Sequence, residues 1–189
     1  IMLDYTMLEQ GADGLAFNTI VASGENGSLP HAIPGDRVVQ LGDMITFDFG
    51  AKKNGYCADM TRTVAVGQPK PEMKRIYDVV LEAQETCQAA LAPGKCCKDI
   101  DAMARKIIDG AGYAGRFGHG LGHAVGIDIH EEPRLSQLCE DILQPGHTIT
   151  VEPGIYVPGL GGVRIENTCA ITETGARTLV HAQKALLIL

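Results

Sequence analysis

Two stretches in the middle of the chain carry apolar side chains at helical spacing. In residues 71–91 an apolar residue returns every three or four positions, which predicts an amphipathic helix that Pro93-Gly94 brings to an end. Asp99 is a suitable N-cap for a second helix. The inward-facing positions are Met73, Ile76, Tyr77, Val80, Cys87 and Leu91 in the first helix and Ile100, Met103, Ala104 and Ile107 in the second.

The two ends of the chain have the short apolar runs and turn residues of β-strands. We expect residues 1–11 to be the end of a helix that stops at Gly11, and Asn54-Gly55 to be a two-residue hairpin turn. Strands are expected at residues 17–22, 44–50 and 56–66, a loop at 23–27, and Gly-punctuated strands and turns from about 117 onward. Strands at both ends with helices between them predict an α+β fold, in which a mostly antiparallel sheet carries helices on one face.

Composition and charge narrow the classes of partner. The 189 residues are enough for one domain, and the net charge of −7 disfavours nucleic acid and anionic membranes, which are themselves negative. The apolar runs are far shorter than a membrane span. Six cysteines occur without a CxxC pair, which disfavours a zinc–cysteine site and predicts a reducing compartment, the cytoplasm.

Two aspartates lie on either side of the predicted hairpin turn. If the turn occupies residues 54–55, Asp48 pairs with Thr61. Asp59 is then on the same face and diagonal to Asp48, about 7–8 Å away at the backbone, so both carboxylates can reach one metal centre. Like charges on one face repel, and a hard divalent ion relieves the repulsion. The alternative is a pair of ordinary aspartates flanking a turn.

Two glutamates form a second acidic pair near the C-terminus. Glu152 and Glu166 are centred on the Gly-rich segment 158–162, so a hairpin there would bring them opposite each other. Their neighbours in sequence are aliphatic, which favours buried carboxylates that hold a ligand over solvated ones. Solvated strand carboxylates are the alternative for this pair.

Three histidines fall within the segment HGLGHAVGIDIHE, residues 119–131, among glycines and aliphatic residues. Imidazole is both a common metal ligand and the usual proton carrier near neutral pH, so His119, His123 and His130 are candidates for chemistry, with His31 as a fourth. Two Asp, two Glu and one His would make an oxygen-rich set. Such a set suits a pair of Mn²⁺, Co²⁺, Fe²⁺ or Zn²⁺ ions better than a sulfur-rich zinc site.

Five segments, read in order, resemble one protein family along nearly the whole chain. They are IVASGENGSLPH, FDFGAKKNGYCADMTRT, HGLGHAVGIDIHE, VEPGIYVPG and GVRIEN. The chain is similar to the pita-bread metallopeptidases, in the branch of Xaa-Pro aminopeptidases and Xaa-Pro dipeptidases (prolidases). Members usually have another helix before this point and often an N-terminal domain. Residues 1–189 are therefore expected to be the catalytic domain without them.

The resemblance implies roles for particular residues. The metal ligands would be Asp48, Asp59, His123, Glu152 and Glu166, with Asp59 and Glu166 bridging two divalent ions, of which Mn²⁺ is favoured. Glu152 would also handle the proton of the bridging water. The substrate pocket would be lined by His31, His119 and His130, with Arg164 beside them.

The resemblance also implies a reaction. A hydroxide bridging the two metals would attack the carbonyl before proline, in a dipeptide or at a peptide N-terminus, and the leaving nitrogen would be protonated by Glu152 or a nearby His. The expected partner is a small peptide, and the resemblance allows a homodimer. The alternatives are a methionine aminopeptidase of the same fold and a metal-free relative that only binds peptides.

Overall fold

The computed structural model describes residues 1–33 and 35–189. Its helices are α1 (Met2–Glu9), α2 (Pro71–Ala90) and α3 (Cys97–Ile108); a 3₁₀ turn covers Gly24–Ser28 and a π-helical turn covers Asp109–Tyr113. Its strands are β1 (Gly14–Leu15), β2 (Ile20–Ser23), β3 (Met44–Phe49), β4 (Ala51–Lys53), β5 (Tyr56–Cys57), β6 (Met60–Ala65), β7 (Gly122–Ala124), β8 (Glu131–Leu135), β9 (Thr148–Val151), β10 (Gly154–Val157), β11 (Gly161–Arg164), β12 (Asn167–Ile171) and β13 (Ala176–Thr178).

The two central helices form where the apolar spacing predicts them. The stripe of α2 is buried: Ile76 and Val80 have no exposed surface, and the helix packs against α3 and against β9, β10 and β11. The prediction of Asp99 as N-cap is wrong, because α3 begins at Cys97 with Cys96 as its cap residue. Asp99 lies in the first turn instead, where its charge favours the positive end of the helix dipole. At the other end of α3, Ile108 is fully buried and Ile107 only partly.

Antiparallel pairing joins the strands into small sheets that share one core. The orders are β2-β3-β6, β1-β4-β5, β10-β11 and β13-β12-β9-β7-β8. The predicted hairpin is confirmed, since Asn54 and Gly55 have φ of 51° and 85° and Asp48 pairs with Thr61. Gly50 lies between β3 and β4. Position 50 requires glycine, because a Cβ there would lie 1.8 Å from the carbonyl oxygen of Ala58.

The second predicted hairpin is also confirmed. In the β10–β11 pair Gly154 lies opposite Arg164, and in the β9–β12 pair Val151 lies opposite Asn167. The two ladders have the same register, so the residues between them, Glu152 and Glu166, face each other in the gap. The structure thus brings the second acidic pair together by the hairpin that the Gly-rich segment indicates.

The segment before the first hairpin differs from the prediction. The strand expected at residues 17–22 begins only at Ile20, because Phe17 and Asn18 leave the sheet and line a cavity. The loop expected at 23–27 folds into the 3₁₀ turn, which packs on β11 so closely that a Cβ at Gly162 would lie 2.0 Å from the carbonyl oxygen of Gly27.

Two expectations from composition have structural counterparts. Within the described residues the cysteines are all free thiols. In the same part of the chain, no helix combines the length and the apolar character needed to cross a bilayer.

Candidate metal centre and substrate pocket

One cavity of about 580 Å³ is lined by the candidate metal ligands and histidines of the chain. The residues that sequence analysis singled out all line it: Asp48, Asp59, His123, Glu152 and Glu166, together with His31, His119, His130 and Arg164. They come from β3, the segment before β6, β7, the gap between the two ladders, β11 and the loops around them. The register of the two hairpins therefore accounts for the position of every acidic member.

Three carboxylates form the floor of the cavity. One oxygen each from Asp48, Asp59 and Glu166 lies within 4.8 Å of the others, and the Asp59 and Glu166 side chains are buried. Within the described residues, Oδ1 of Asp48 and Oε1 of Glu166 are buried with no hydrogen-bond partner. A buried polar atom without a partner is costly, and a charged one more so. The donor set and its unpaired oxygens fit a hard divalent cation.

The pKa values of these three carboxyls are raised, because burial and mutual repulsion disfavour their charged forms. Burial, and then the charges of Asp48 and Glu152, raise the pKa of Asp59 from 3.8 to about 8. Burial and the charge of Asp59 raise the pKa of Glu166 well above its ordinary value. Burial also raises the pKa of Asp48, although the neighbouring Arg164 opposes the change. These shifts oppose full ionisation of the cluster near neutral pH, and a further cation would relieve them.

His123 lies at the floor of the cavity beside Glu152 and Asp59. Its Nε2 lies 3.3 Å from Oε1 of Glu152 and 3.6 Å from Oδ2 of Asp59, while its Nδ1 is 3.1 Å from the carbonyl oxygen of Ala124. A proton on Nδ1 satisfies that carbonyl and leaves the Nε2 lone pair facing the carboxylates. Burial would lower the pKa of His123, but the hydrogen bond and charge of Glu152 outweigh it and raise the pKa.

Arg164 and Tyr156 connect the acidic floor to His119. The Arg164 guanidinium donates to Oδ2 of Asp48 at 2.6 Å and to the Tyr156 hydroxyl at 3.0 Å. That hydroxyl is 2.8 Å from Nε2 of His119, whose Nδ1 is 2.8 Å from the carbonyl oxygen of Gly120. The consistent assignment has Arg164 donating to Tyr156, Tyr156 donating to a neutral His119, and Nδ1 of His119 donating to the carbonyl. Burial lowers the pKa of His119, in agreement with a neutral ring.

The remaining histidines lie nearer the mouth of the cavity. His130 is exposed, and its ring centroid is 4.4 Å from that of His123. His31 is also exposed and follows Pro30, whose carbonyl oxygen accepts a hydrogen bond from Arg164. Both residues therefore lie toward the open side of the cavity rather than in its acidic floor.

Sequence analysis missed three residues that hold the site in place. The Thr61 hydroxyl donates to Oε2 of Glu166 at 2.7 Å, and the Thr150 hydroxyl donates to Oε1 of Glu152 at 3.3 Å. Tyr156 is the third, and a Cβ at Gly154 would lie 2.4 Å from its hydroxyl. Period-two alternation could have found them, since Thr150 and Tyr156 are two and four residues from Glu152, and Thr61 is opposite Asp48.

Comparison with known proteins supplies the family. The profile of metallopeptidase family M24 matches residues 1–173. An Xaa-Pro dipeptidase of Pyrococcus furiosus is 48% identical over 185 residues, which are 98% of this chain and 53% of that protein. The structure of an Xaa-Pro dipeptidase from Bacillus anthracis has a TM-score of 0.97 at 44% identity, covering 99% of this chain and 53% of that one. The structure of an X-Pro aminopeptidase from Thermotoga maritima has a TM-score of 0.96 at 42% identity, covering 100% of this chain and 53% of that one.

The chain spans about half the length of the relatives it matches. The fit to these structures confirms the expected pita-bread fold, an α+β arrangement of antiparallel sheets with helices packed on them. The matching segment includes every residue of the acidic floor, since the family profile extends from the first residue to beyond Glu166. The chain is a member of metallopeptidase family M24.

Proposed function

We propose that residues 1–189 are the catalytic domain of a dinuclear metallopeptidase that hydrolyses the Xaa-Pro bond, in dipeptides or at peptide N-termini. The observation that carries the proposal is the buried acidic floor with two unpaired carboxylate oxygens and an imidazole nitrogen facing it. Membership of a metallopeptidase family supports the metal, and the names of the relatives support the proline substrate. A methionine aminopeptidase or a metal-free binding module remains the alternative to be excluded by experiment.

The ions would be held by Asp48, Asp59, His123, Glu152 and Glu166. Asp59 and Glu166 lie centrally and would bridge, Asp48 would complete one coordination sphere, and His123 with Glu152 would complete the other. When bound, two divalent ions would polarise the scissile carbonyl and lower the pKa of water. Four carboxylates and one imidazole form an oxygen-rich donor set. Such a set suits Mn²⁺, whereas a zinc site of the sulfur-rich kind would need thiolate ligands.

The chain's own side chains would then orient the peptide and move protons. Glu152 is next to the proposed metal centre and can carry a proton to the proline nitrogen, which leaves as a secondary amine. His119 is held neutral by burial. Both of its ring nitrogens are engaged, one with Tyr156 and one with the Gly120 carbonyl, so it would shape the wall of the pocket against the peptide rather than hydrogen-bond to it. His130 and His31 stand at the mouth of the cavity, where they would contact the peptide, and Arg164 fixes Asp48 and Tyr156.

Preference for proline would follow from the missing N–H of the imide bond. A buried N–H that finds no acceptor costs about 1–3 kcal/mol, so a pocket without a suitable acceptor favours proline by roughly tenfold to a hundredfold. Ile20 and Ile129 supply apolar surface in the same cavity. A rigid pyrrolidine ring fits such a surface without leaving a donor unpaired.

The test is hydrolysis of Ala-Pro against Ala-Ala, and of Ala-Pro-Ala against Ala-Ala-Ala, by protein loaded with Mn²⁺. We expect the proline peptide of each pair to be cleaved at least roughly tenfold faster. Equal rates within each pair would defeat the proline claim, and no cleavage by protein that holds metal would defeat the enzyme claim.

His130→Ala is the companion variant for the assigned roles. Because His130 is not among the proposed ligands, the substitution should reduce turnover and leave the metal content unchanged. Loss of metal in step with activity would show that the ligand assignment is wrong. The cytoplasmic location and the homodimer stay predictions, and gel filtration at several protein concentrations tests the second.

A further inference from the structure

A buried ion pair on α3 lies behind the pocket, outside the set of residues assigned to the reaction. Asp101 has no exposed surface, and its carboxylate accepts from Nε of Arg105 at 2.7 Å and from Nη2 at 3.1 Å. The two residues are one helical turn apart, so α3 fixes their relative position. In the amide orientation that satisfies both groups, the side-chain oxygen of Gln137 accepts from Nε of Arg105 at 2.9 Å. The other hydrogen bonds of the ion pair are made to a single segment of the chain.

That segment is residues 117–121, which joins the end of the helical region to β7. Arg105 donates to the carbonyl oxygen of Phe117 at 3.0 Å and to that of His119 at 2.6 Å. Oδ1 of Asp101 accepts from the backbone N–H of Leu121 at 3.0 Å. Three alternate residues of an irregular segment are thus attached to α3 by one ion pair.

The segment needs such an external anchor because of its composition. Gly118 and Gly120 flank His119, and a Cβ at Gly118 would meet nothing within 4 Å, so side-chain packing restrains the segment at its buried ends, Phe117 and Leu121, but not at Gly118. The anchor extends to the acidic floor as well. The carbonyl oxygen of Leu121 accepts from the backbone N–H of Glu152 at 2.8 Å.

Ring stacking provides a second connection between the ion pair and His119. The Arg105 guanidinium lies 4.6 Å from the centroid of the Phe117 ring, and that ring meets the His119 ring edge-on with centroids 5.0 Å apart. Arg105 therefore fixes His119 twice, through its carbonyl oxygen and through the aromatic ring beside it.

We propose that Asp101 and Arg105 are positioning residues for the reaction, which act by holding the backbone and ring of His119 against the substrate. The inference rests on the proposed function for its kinetic consequence, but the anchor itself does not. A displacement of about 1 Å in a catalytic group can lower the rate a hundredfold, so loss of the anchor should cost activity without loss of metal.

The first experiment measures the anchor directly, by amide hydrogen exchange of the Mn²⁺-loaded chain. Arg105→Met should accelerate exchange in residues 117–121 at least roughly tenfold, because the carbonyl oxygens of Phe117 and His119 lose their donor and the segment opens more often. The matched control is Arg75→Met: Arg75 also donates from a helix to a backbone carbonyl outside that helix, that of Ala111, and lies over an aromatic ring, but it does not touch the segment. Unchanged exchange in Arg105→Met, or equal acceleration in both variants, would overturn the proposal.

The second experiment asks whether Arg105 acts through His119, by a double-mutant cycle on Ala-Pro hydrolysis. In the parent, Arg105→Met should lower kcat/KM by roughly 10- to 100-fold with unchanged metal content, and Arg75→Met by less than about twofold. In a His119→Ala background, Arg105→Met should cost less than about threefold, because the group it positions is gone. An equal loss in both backgrounds would mean that Arg105 does not act through His119.

A conservative variant keeps both tests usable if Arg105→Met does not fold. Arg105→Lys retains the charge opposite Asp101 but cannot make the forked contacts to two carbonyls. It should therefore keep the stability of the fold and still show part of the exchange and kinetic effect. If the parent loaded with metal does not cleave Ala-Pro, the proposed function fails, whereas the exchange measurement still decides whether the anchor exists.

Discussion

Replacing Asp59 by Asn should stabilise the metal-free protein and remove its response to metal. Asp59 is buried, and its pKa of about 8 against an ordinary value of 3.8 means that folding without a cation requires a proton on this carboxyl. Because the folded state binds more protons than the unfolded state between about pH 4 and pH 8, the stability of the metal-free protein falls as pH rises through this range. Asn has the shape of the protonated carboxyl and needs no proton.

The magnitude follows from the same pKa. One proton contributes about 1.4 kcal/mol per pH unit, so metal-free parent protein should lose about 2.7 kcal/mol between about pH 5 and pH 7. For a chain of this size that is a fall in Tm of roughly 5–10 °C. Asp59→Asn removes this contribution, because the amide neither binds nor releases a proton in this range. At about pH 7 the metal-free variant should exceed the parent by up to about 4 kcal/mol.

The assay is thermal unfolding followed by circular dichroism, in chelator and then in Mn²⁺, with the exposed Asp109→Asn as control. Added Mn²⁺ at about a hundred times its Kd should stabilise the parent by about 2.7 kcal/mol and Asp59→Asn much less. The difference in stability between variant and parent should therefore shrink or change sign. A metal-free variant that is less stable than the parent, or one with the parent's pH dependence, would refute the reasoning.

Three further substitutions test other parts of the site. Tyr156→Phe removes the donor to His119 and should lower kcat/KM on Ala-Pro by roughly tenfold to a hundredfold, with metal content unchanged by elemental analysis. Thr61→Val removes the hydroxyl that donates to a proposed ligand and should weaken Mn²⁺ binding in a calorimetric titration. Gly50→Ala places a Cβ 1.8 Å from the carbonyl oxygen of Ala58 and should lower Tm far more than Gly110→Ala, where nothing lies within 4 Å and the backbone is not left-handed.

The hairpins could be predicted from the sequence because their registers are local. Asn54-Gly55 fixes a two-residue turn, and that turn alone pairs Asp48 with Thr61. The Gly-rich segment 158–162 does the same for the glutamates, although a glycine-rich loop constrains its register less. The spacing of these residues leaves open whether they bind metal or are solvated. Their expected roles as metal ligands came from the resemblance to a family.

Contacts between distant segments could not be predicted in this way. The helical spacing of Asp101 and Arg105 does not indicate what they bind, and only the packing of α3 against residues 117–121 shows it. The departure of Phe17 and Asn18 from their strand has the same cause, since a cavity formed by other segments decides it. Local preference is overridden where tertiary contacts compete with it.

Anomalous scattering from crystals grown with Mn²⁺ tests the central claim most directly. The account predicts two peaks about 3.5–4 Å apart, within bonding distance of the carboxylates of Asp48, Asp59, Glu152 and Glu166 and of Nε2 of His123. A single peak, or peaks bound elsewhere while these five side chains keep their present contacts, would contradict a dinuclear centre.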